Sequence, residues 1–394
     1  MAEPIKMMLV AGEPSGDELA AKLVRALRDA EPDRQFEFFG SAGPRMRDLR
    51  VEPTVFADDL AIMGPIEIAK ALPLFLKAFR KLKDAARDKR PDVAVLVDFP
   101  EFNLKLAKSL KRMGIPVVYY VSPQLWGWRK YRRRTIRDHV DLLLAILPFE
   151  KQWYAQYGIE NVEYVGSPLV NEVKPSRSRD EFRARHAISP DDRLVALLPG
   201  SRHKEIVRIL PPMLEAAALL TREDPELRFV IALAPGRSEK EIEDAMQAVT
   251  RAGFVLPPDI IVVNDETHDA LNASDAAAVA SGTATLEAGI LGTPMAIVYK
   301  TSGINFRLVR PLIKIDHFGL INLIAEKRIA AEMIQDDFTP QSLAAELERI
   351  LEPDENARIR DELKTAVEKL GKGGASKRAA EAIIRLVEKR RSDA

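Results

Sequence analysis

The sequence predicts an α/β protein of two doubly wound domains, and three observations carry that reading. Its 394 residues exceed one average domain and suit two or three, at about 150 residues each. Short apolar runs without polar alternation recur between helical patterns, as in parallel strands covered on both faces. These runs fall into two successive series separated by one polar stretch.

In the first series MMLVAG (7–12), FEFFG (36–40), VAVLVDF (93–99), VVYYVS (117–122), LLLAIL (142–147) and VEYVGS (162–167) read as buried strands. Helical patterns at 16–29, 73–89, 103–113 and 149–157 lie between them. The polar stretch 173–192 is the linker. The second series has LVALLP (194–199), RFVIALA (228–234), IIVVN (260–264), AAAVAS (276–281) and PMAIVYK (294–300), with helices at 205–220, 238–251, 283–291 and 341–351. Residues 354–390 read as charged helix broken at Gly371, Gly373 and Gly374, with Ser376 placed to cap the last segment. The expected division is 1–172, 190–340 and a helical tail, 341–394.

Composition narrows the function classes. Lys+Arg and Asp+Glu both number 59, so no global field draws the chain to nucleic acid, and anionic partners must meet local clusters. Without Cys there are no disulfides or thiolate metal sites, which suits a reducing compartment. Five scattered His show no ligand spacing and no D-x-D occurs, so neither metal nor cofactor is expected. The N-terminal apolar run is too short for a signal peptide, and no run of about 18 apolar residues exists to span a membrane. A cytoplasmic location is the expectation.

In doubly wound sheets ligands sit at the carboxyl ends of strands, so strand-to-helix turns are the candidate sites. AGEPSGD (11–17) follows the first strand; Glu13 would repel a phosphate but suits sugar hydroxyls, and Ser15 could cap the helix. VDFPEFN (97–103) sets Asp98 at the end of an apolar strand. Desolvation there raises a carboxyl above its usual value near 3.9, towards useful basicity. A buried structural acceptor is the other reading, and Glu101 competes for the role. SPQLWGWRK (122–130) carries Trp126 and Trp128, amphipathic rings suited to a sugar face or acyl chains. The arginines that follow can meet phosphate or anionic lipid, or form a solvated face.

The second series offers two anion turns. LLPGSRHKEI (197–206) brings Gly200, Ser201 and Arg202 to a helix N-terminus, and SGTATLEA (281–288) brings Ser281, Gly282 and Thr283. Such termini favour anions, so the pair reads as a nucleotide-diphosphate site. Glu287, about a turn on, could take two ribose hydroxyls. In segment 66–83, Leu72, Phe75, Leu76 and Phe79 read as one apolar face with Lys77 and Lys81 opposite. That face suits either a membrane interface or a core.

These turns, with LAIMGPIEI (60–68), YYVSPQLWGWR (119–129), INLIAEKRI (321–329) and GGASKRAA (373–380), resemble the lipid-A-disaccharide synthases, and the resemblance spans about residues 7–385. It implies a GT-B architecture, two Rossmann-like domains facing a central cleft, with the C-terminal helices returning to the N-terminal domain. It implies a hexosyltransferase of lipid A and lipopolysaccharide biosynthesis. UDP-2,3-diacylglucosamine and 2,3-diacylglucosamine 1-phosphate would give a β-1,6 disaccharide 1-phosphate and UDP, by inversion. The enzyme would lie peripherally on the cytoplasmic face of the inner membrane. Asp98 with Glu13 then belongs to the acceptor side as the catalytic pair. The turns at Gly200–Arg202 and Ser281–Thr283, with Glu287 and Asn322, hold UDP. Leu72, Phe75, Leu76, Phe79, Trp126 and Trp128 contact membrane or acyl chains. A homodimer is left open. Two places depart from the family pattern. Ser167 stands where V-G-H-P-L has His, and Glu326-Lys327 stand where Gly-Arg is usual. A UDP-N-acetylglucosamine 2-epimerase or peptidoglycan-type transferase shares the UDP turns but not VDFPEFN with SPQLWGW. A catalytically dead lipid-binding scaffold would need no carboxylate-and-arginine set.

Overall fold

A computed structural model describes residues 4–60, 72–303, 306–307 and 315–393. Two compact units divide the chain, Met1–Pro168 with Lys372–Ala394, and Leu169–Gly371. Each is built on one parallel sheet with helices between its strands, so the predicted pair of doubly wound sheets is present.

Among the described residues the first sheet has seven strands, β1 (Ile5–Val10), β2 (Phe36–Ala42), β3 (Glu52–Phe56), β4 (Val93–Val97), β5 (Val117–Tyr120), β6 (Leu142–Ala145) and β7 (Val162–Tyr164). Their order is β3-β2-β1-β4-β5-β6-β7. β1 and β4 are nearly free of polar side chains because both faces are covered. On one face Met7, Leu9, Val95 and Val97 pack against Leu23, Val24 and Leu27 of helix Pro14–Ala30 and Ile383 and Val387 of helix Ala375–Ser392. On the other, Met8, Val10, Ala94 and Leu96 meet Leu82 of helix Leu72–Lys89 and Leu106 and Leu110 of helix Pro100–Arg112. Each large apolar side chain buried this way contributes about 1.5–3 kcal/mol.

The second sheet runs β10-β9-β8-β11-β12-β13, with β8 Leu194–Leu198, β9 Arg228–Leu233, β10 Ile261–Asn264, β11 Ala276–Ala280, β12 Met295–Tyr299 and β13 Glu332–Ile334. Both sheets reverse their winding direction at one place, between β1 and β4 and between β8 and β11. Neighbouring turns splay apart there and leave a crevice at the strand ends.

Several local expectations need correction. Only the last tail helix, Ala375–Ser392, belongs to the first unit, where it lies along Pro14–Ala30. Helices Pro340–Leu351 and Pro353–Glu368 stay in the second unit, against helix His203–Glu223 and helix Thr283–Ile290. Hydrogen bonds hold them there, from Asn356 Nδ2 to the Asp275 carbonyl and from Arg360 to the Gly292 carbonyl. Neither Ser15 nor Ser376 caps its helix. Pro14, whose missing N–H suits a first helical position, starts the first helix after Glu13, and Gly374 precedes the last. The motif 60–68 after Leu60, and residues 66–71 of the apolar segment, lie outside the described residues.

Candidate active site

The switch point of the first sheet brings AGEPSGD and VDFPEFN together. Gly12 and Glu13 follow β1, and Asp98 and Phe99 follow β4. Asp98 and Phe99 both sit at positive φ, 46° and 50°, a conformation costly for residues with a Cβ. Partners over-determine it. The Asp98 carbonyl accepts from Tyr119 Oη at 2.6 Å and Asn103 Nδ2 at 2.8 Å, and its N–H donates to the Tyr120 carbonyl. Gly12 makes room for the result, since a Cβ there would lie 2.3 Å from the Phe99 ring.

The half-buried Asp98 carboxyl titrates at about 6, raised first by desolvation, then by the Glu13 charge, against a lowering hydrogen bond from the Phe99 backbone. The neighbouring carboxyl is tuned the other way. Glu101 accepts from Arg132 at 2.6 Å and pairs with Arg129. Its pKa is lowered, chiefly by the Arg132 hydrogen bond. One carboxyl is thus raised towards neutrality and the other kept ionised. Among the candidates 97–103 offered, geometry and charge favour Asp98.

A pocket of about 310 Å³ opens beside Asp98, with Glu101, Ser122, Trp128, Arg132 and Glu150 on its walls. The two tryptophans separate. Trp128 is exposed, with the Arg129 guanidinium 4.4 Å from its ring centroid. Trp126 is buried and donates from Nε1 to Glu150 at 3.3 Å, so its expected surface contact with lipid is corrected to a core role. Sequence reasoning missed Glu150. Fully buried, it also accepts the Ile146 and Leu147 N–H groups, and burial pushes its carboxyl up to about 7. It ties the 122–128 loop to the turn after β6. Nothing in its local pattern marks it, because its partners lie up to 24 residues away.

The helix Leu72–Lys89 turns differently from the expected stripe. Phe75 and Phe79 pack inward on Phe102, with ring centroids 6.5 and 5.6 Å apart. Leu72 and Leu76 are 56% and 49% exposed, beside Leu74. The four residues therefore divide between core and surface.

In the second unit a cleft of about 630 Å³ lies at the switch point between β8 and β11. Gly200, Ser201 and Arg202 line one side, and Ser281, Gly282 and Thr283 another. The two turns are not equivalent. At the first, Glu205 already accepts the Ser201 and Arg202 N–H groups and pairs with the Arg202 side chain. An incoming anion must displace it. At the second, no side chain caps helix Thr283–Ile290. Gly282 there has a φ of 154°, disfavoured for other residues. That N-terminus is the readier of the two to receive an anion.

Glu287 and His268 also line the cleft, Oε2 to Nε2 being 3.8 Å. At that distance the two form an ion contact rather than a hydrogen bond, and the Glu287 carboxylate raises the His268 pKa against partial desolvation. In the sequence His268 is one of five scattered histidines; only the fold brings it to the cleft. Asn322 is corrected outright. It is wholly buried, donates to the Ala330 carbonyl and Glu332, and accepts from the Ile329 and Ala330 N–H groups. All four of its bonding positions are filled within the protein. Glu326 and Lys327 end helix Leu320–Ala325 and pair with Lys369 and Glu362 rather than lining the cleft. Ser167 is buried in the first unit, and its hydroxyl has no hydrogen-bond partner among the described residues. Among the described residues no cluster of three or more His, Asp or Glu is set to hold a metal, and no helix is long and apolar enough to cross a membrane.

The family model described as lipid-A-disaccharide synthetase matches residues 7–386. Lipid-A-disaccharide synthase of Myxococcus xanthus is 42% identical, covering 98% of this chain and 99% of its own. That of Trichlorobacter lovleyi is 40% identical with the same coverage. A putative UDP-N-acetylglucosamine 2-epimerase from Listeria monocytogenes superposes with a TM-score of 0.66 at 17% identity, covering 98% of both chains. A glycosyltransferase from Rickettsia africae superposes at 0.61 and 11% identity, covering 99% of this chain and 100% of its own. At such identities these structures establish the shared fold alone.

Proposed function

The chain belongs to the lipid-A-disaccharide synthase family, a glycosyltransferase family of lipid A biosynthesis, and on that premise we propose how its two switch points divide the reaction. The second unit holds UDP-2,3-diacylglucosamine, with the diphosphate at the N-terminus of Thr283–Ile290 and near Arg202, and the ribose at Glu287. The first unit holds 2,3-diacylglucosamine 1-phosphate beside Asp98. The acceptor 6-hydroxyl attacks the donor anomeric carbon from the face opposite UDP, and its proton passes to Asp98. The new C–O bond forms as the bond to the diphosphate breaks, and UDP leaves with the electron pair. Helix N–H groups and Arg202 stabilise the charge developing there. The β-1,6 disaccharide 1-phosphate is the product.

The observation that carries this reading is the pocket at the β1–β4 switch point, where Asp98, raised to about 6, stands free of any cation among the described residues while Arg129 and Arg132 hold Glu101. An epimerase working through elimination would release UDP without an acceptor. UDP is therefore expected only when the acceptor is supplied. Stoichiometric release in its absence would favour the epimerase reading.

Both substrates carry acyl chains, so contact with the cytoplasmic face of the membrane belongs to the same proposal. The exposed Leu72, Leu74 and Leu76 support it, with Lys77 and Lys81 on the same exposed stretch. Replacing the three leucines with Ser should release the protein from vesicles, leave its melting temperature within a few degrees of wild type and raise the KM for lipid acceptor. Replacing Phe75 and Phe79 should instead destabilise the fold by roughly 2–4 kcal/mol. A triple-Ser variant that stays vesicle-bound would remove this helix from membrane contact.

A further inference from the structure

Glu101, on the wall of the pocket beside Asp98, is held by more cations than one carboxylate requires. Arg132 and Arg129 both reach the Glu101 carboxylate, and Lys105 adds a third cation to its field. Three cations thus act on the Glu101 carboxylate. Arg132 is largely enclosed, its side chain 15% exposed, whereas the Glu101 side chain is 62% exposed. The guanidinium belongs to the pocket wall, and the carboxylate on it is the part free to swing into solvent. Arg129 also lies against the exposed Trp128 ring, so an apolar platform borders the cations.

A planar guanidinium fork matches phosphate as well as carboxylate, and a phosphate monoester brings up to two negative charges where Glu101 brings one. We propose that Arg132, supported by Arg129, is the receptor for the phosphate monoester of the acceptor, and that Glu101 occupies this anion site until the phosphate displaces it. The proposal rests on the reading of the Asp98 pocket as the acceptor site. It makes Arg132 a specificity-determining residue. A pocket lined by both Asp98 and Arg132 engages an amino sugar at its 6-hydroxyl and at its anomeric phosphate, the two ends of the ring. Placing the phosphate then delivers the hydroxyl. Glu101 keeps the arginines ordered while the pocket is empty, and its departure is a cost that only a strongly charged ligand offsets.

The test compares two acceptors, 2,3-diacylglucosamine 1-phosphate and the same molecule without its phosphate, in neutral detergent micelles free of anionic lipid. Wild type should prefer the phosphorylated acceptor by about 10- to 100-fold in kcat/KM, as expected for charge-assisted hydrogen bonds. In Arg132→Ala that ratio should fall to within a few-fold of one, with UDP affinity unchanged. Arg132→Lys should retain part of it, the charge without the fork. Glu101→Gln should lower KM for the phosphorylated acceptor alone. A merely structural role for Arg132 would depress both acceptors alike and leave the ratio intact, which overturns the proposal. A ratio near one in wild type overturns it as well, as does an Arg132 effect that appears only when anionic lipid is added. If Arg132→Ala does not fold, the Arg132→Lys and Glu101→Gln ratios decide. Unchanged ratios alongside an inactive Asp98→Asn would defeat this proposal alone, whereas a fully active Asp98→Asn would defeat the acceptor-site reading beneath it.

Discussion

Asp98→Asn is expected to reduce turnover by about 10²–10⁴-fold, the usual contribution of a positioned general base, and to leave UDP affinity unchanged. Asn keeps the size of the side chain and the backbone bonds that hold the turn, but it cannot take the proton. The wild-type pH profile should carry the same signature. Burial and the Glu13 charge raise Asp98 to about 6, and the basic form is the ionised one. So kcat/KM should climb as pH rises through about 6 and level off above it. Glu13→Gln removes one of the raising effects and should move the inflection to lower pH. If Glu101 were the base, the inflection would lie below the ordinary carboxylate range, because Arg132 favours its ionised form. Wild-type turnover in Asp98→Asn would remove Asp98 from the mechanism.

Glu287→Ala should weaken UDP binding by about 1.5–3 kcal/mol, the range for hydrogen bonds to a charged group, or roughly 10- to 150-fold in Kd. The variant also removes the main influence that raises His268, so the histidine should titrate lower in a proton-resolved NMR experiment. Asn322→Ala supplies the contrast. Its side chain bonds only within the protein, so it should lower the melting temperature while folded protein binds UDP with wild-type affinity. Calorimetry on the two variants separates the cases. Unchanged affinity in Glu287→Ala would move the ribose contact elsewhere.

The central strands were legible because continuous burial demands continuous apolar sequence, as in VAVLV and LVALL. The edges were not. β3 reads Glu-Pro-Thr-Val-Phe, with a proline that an edge strand tolerates and a central one does not. β13 is three residues long, too short to show a period. Strand order is a non-local property, so the meeting of the 11–17 turn with the 97–103 turn could be named from sequence but not located. The helix from Leu72 was misaimed for a definite reason. Its inward stripe, Phe75, Ala78, Phe79, Leu82 and Ala86, is partly alanine, and ranking by large side chains alone drew Leu72 and Leu76 onto it. Asn322 looked like a ligand because it sits in a motif, whereas its partners, Ala330 and Glu332, were invisible without the fold. Trp126 and Glu150 find each other only in three dimensions.

The measurement that bears most directly on the central claim is the structure of the product formed from UDP-2,3-diacylglucosamine and 2,3-diacylglucosamine 1-phosphate. Mass analysis should show a tetraacyl disaccharide 1-phosphate. The anomeric coupling in its proton NMR spectrum should show a β configuration, as a single displacement assisted by Asp98 requires, and a correlation across the glycosidic oxygen should place the linkage at the acceptor's 6-position. An α linkage, or donor turnover that yields no disaccharide, would contradict it.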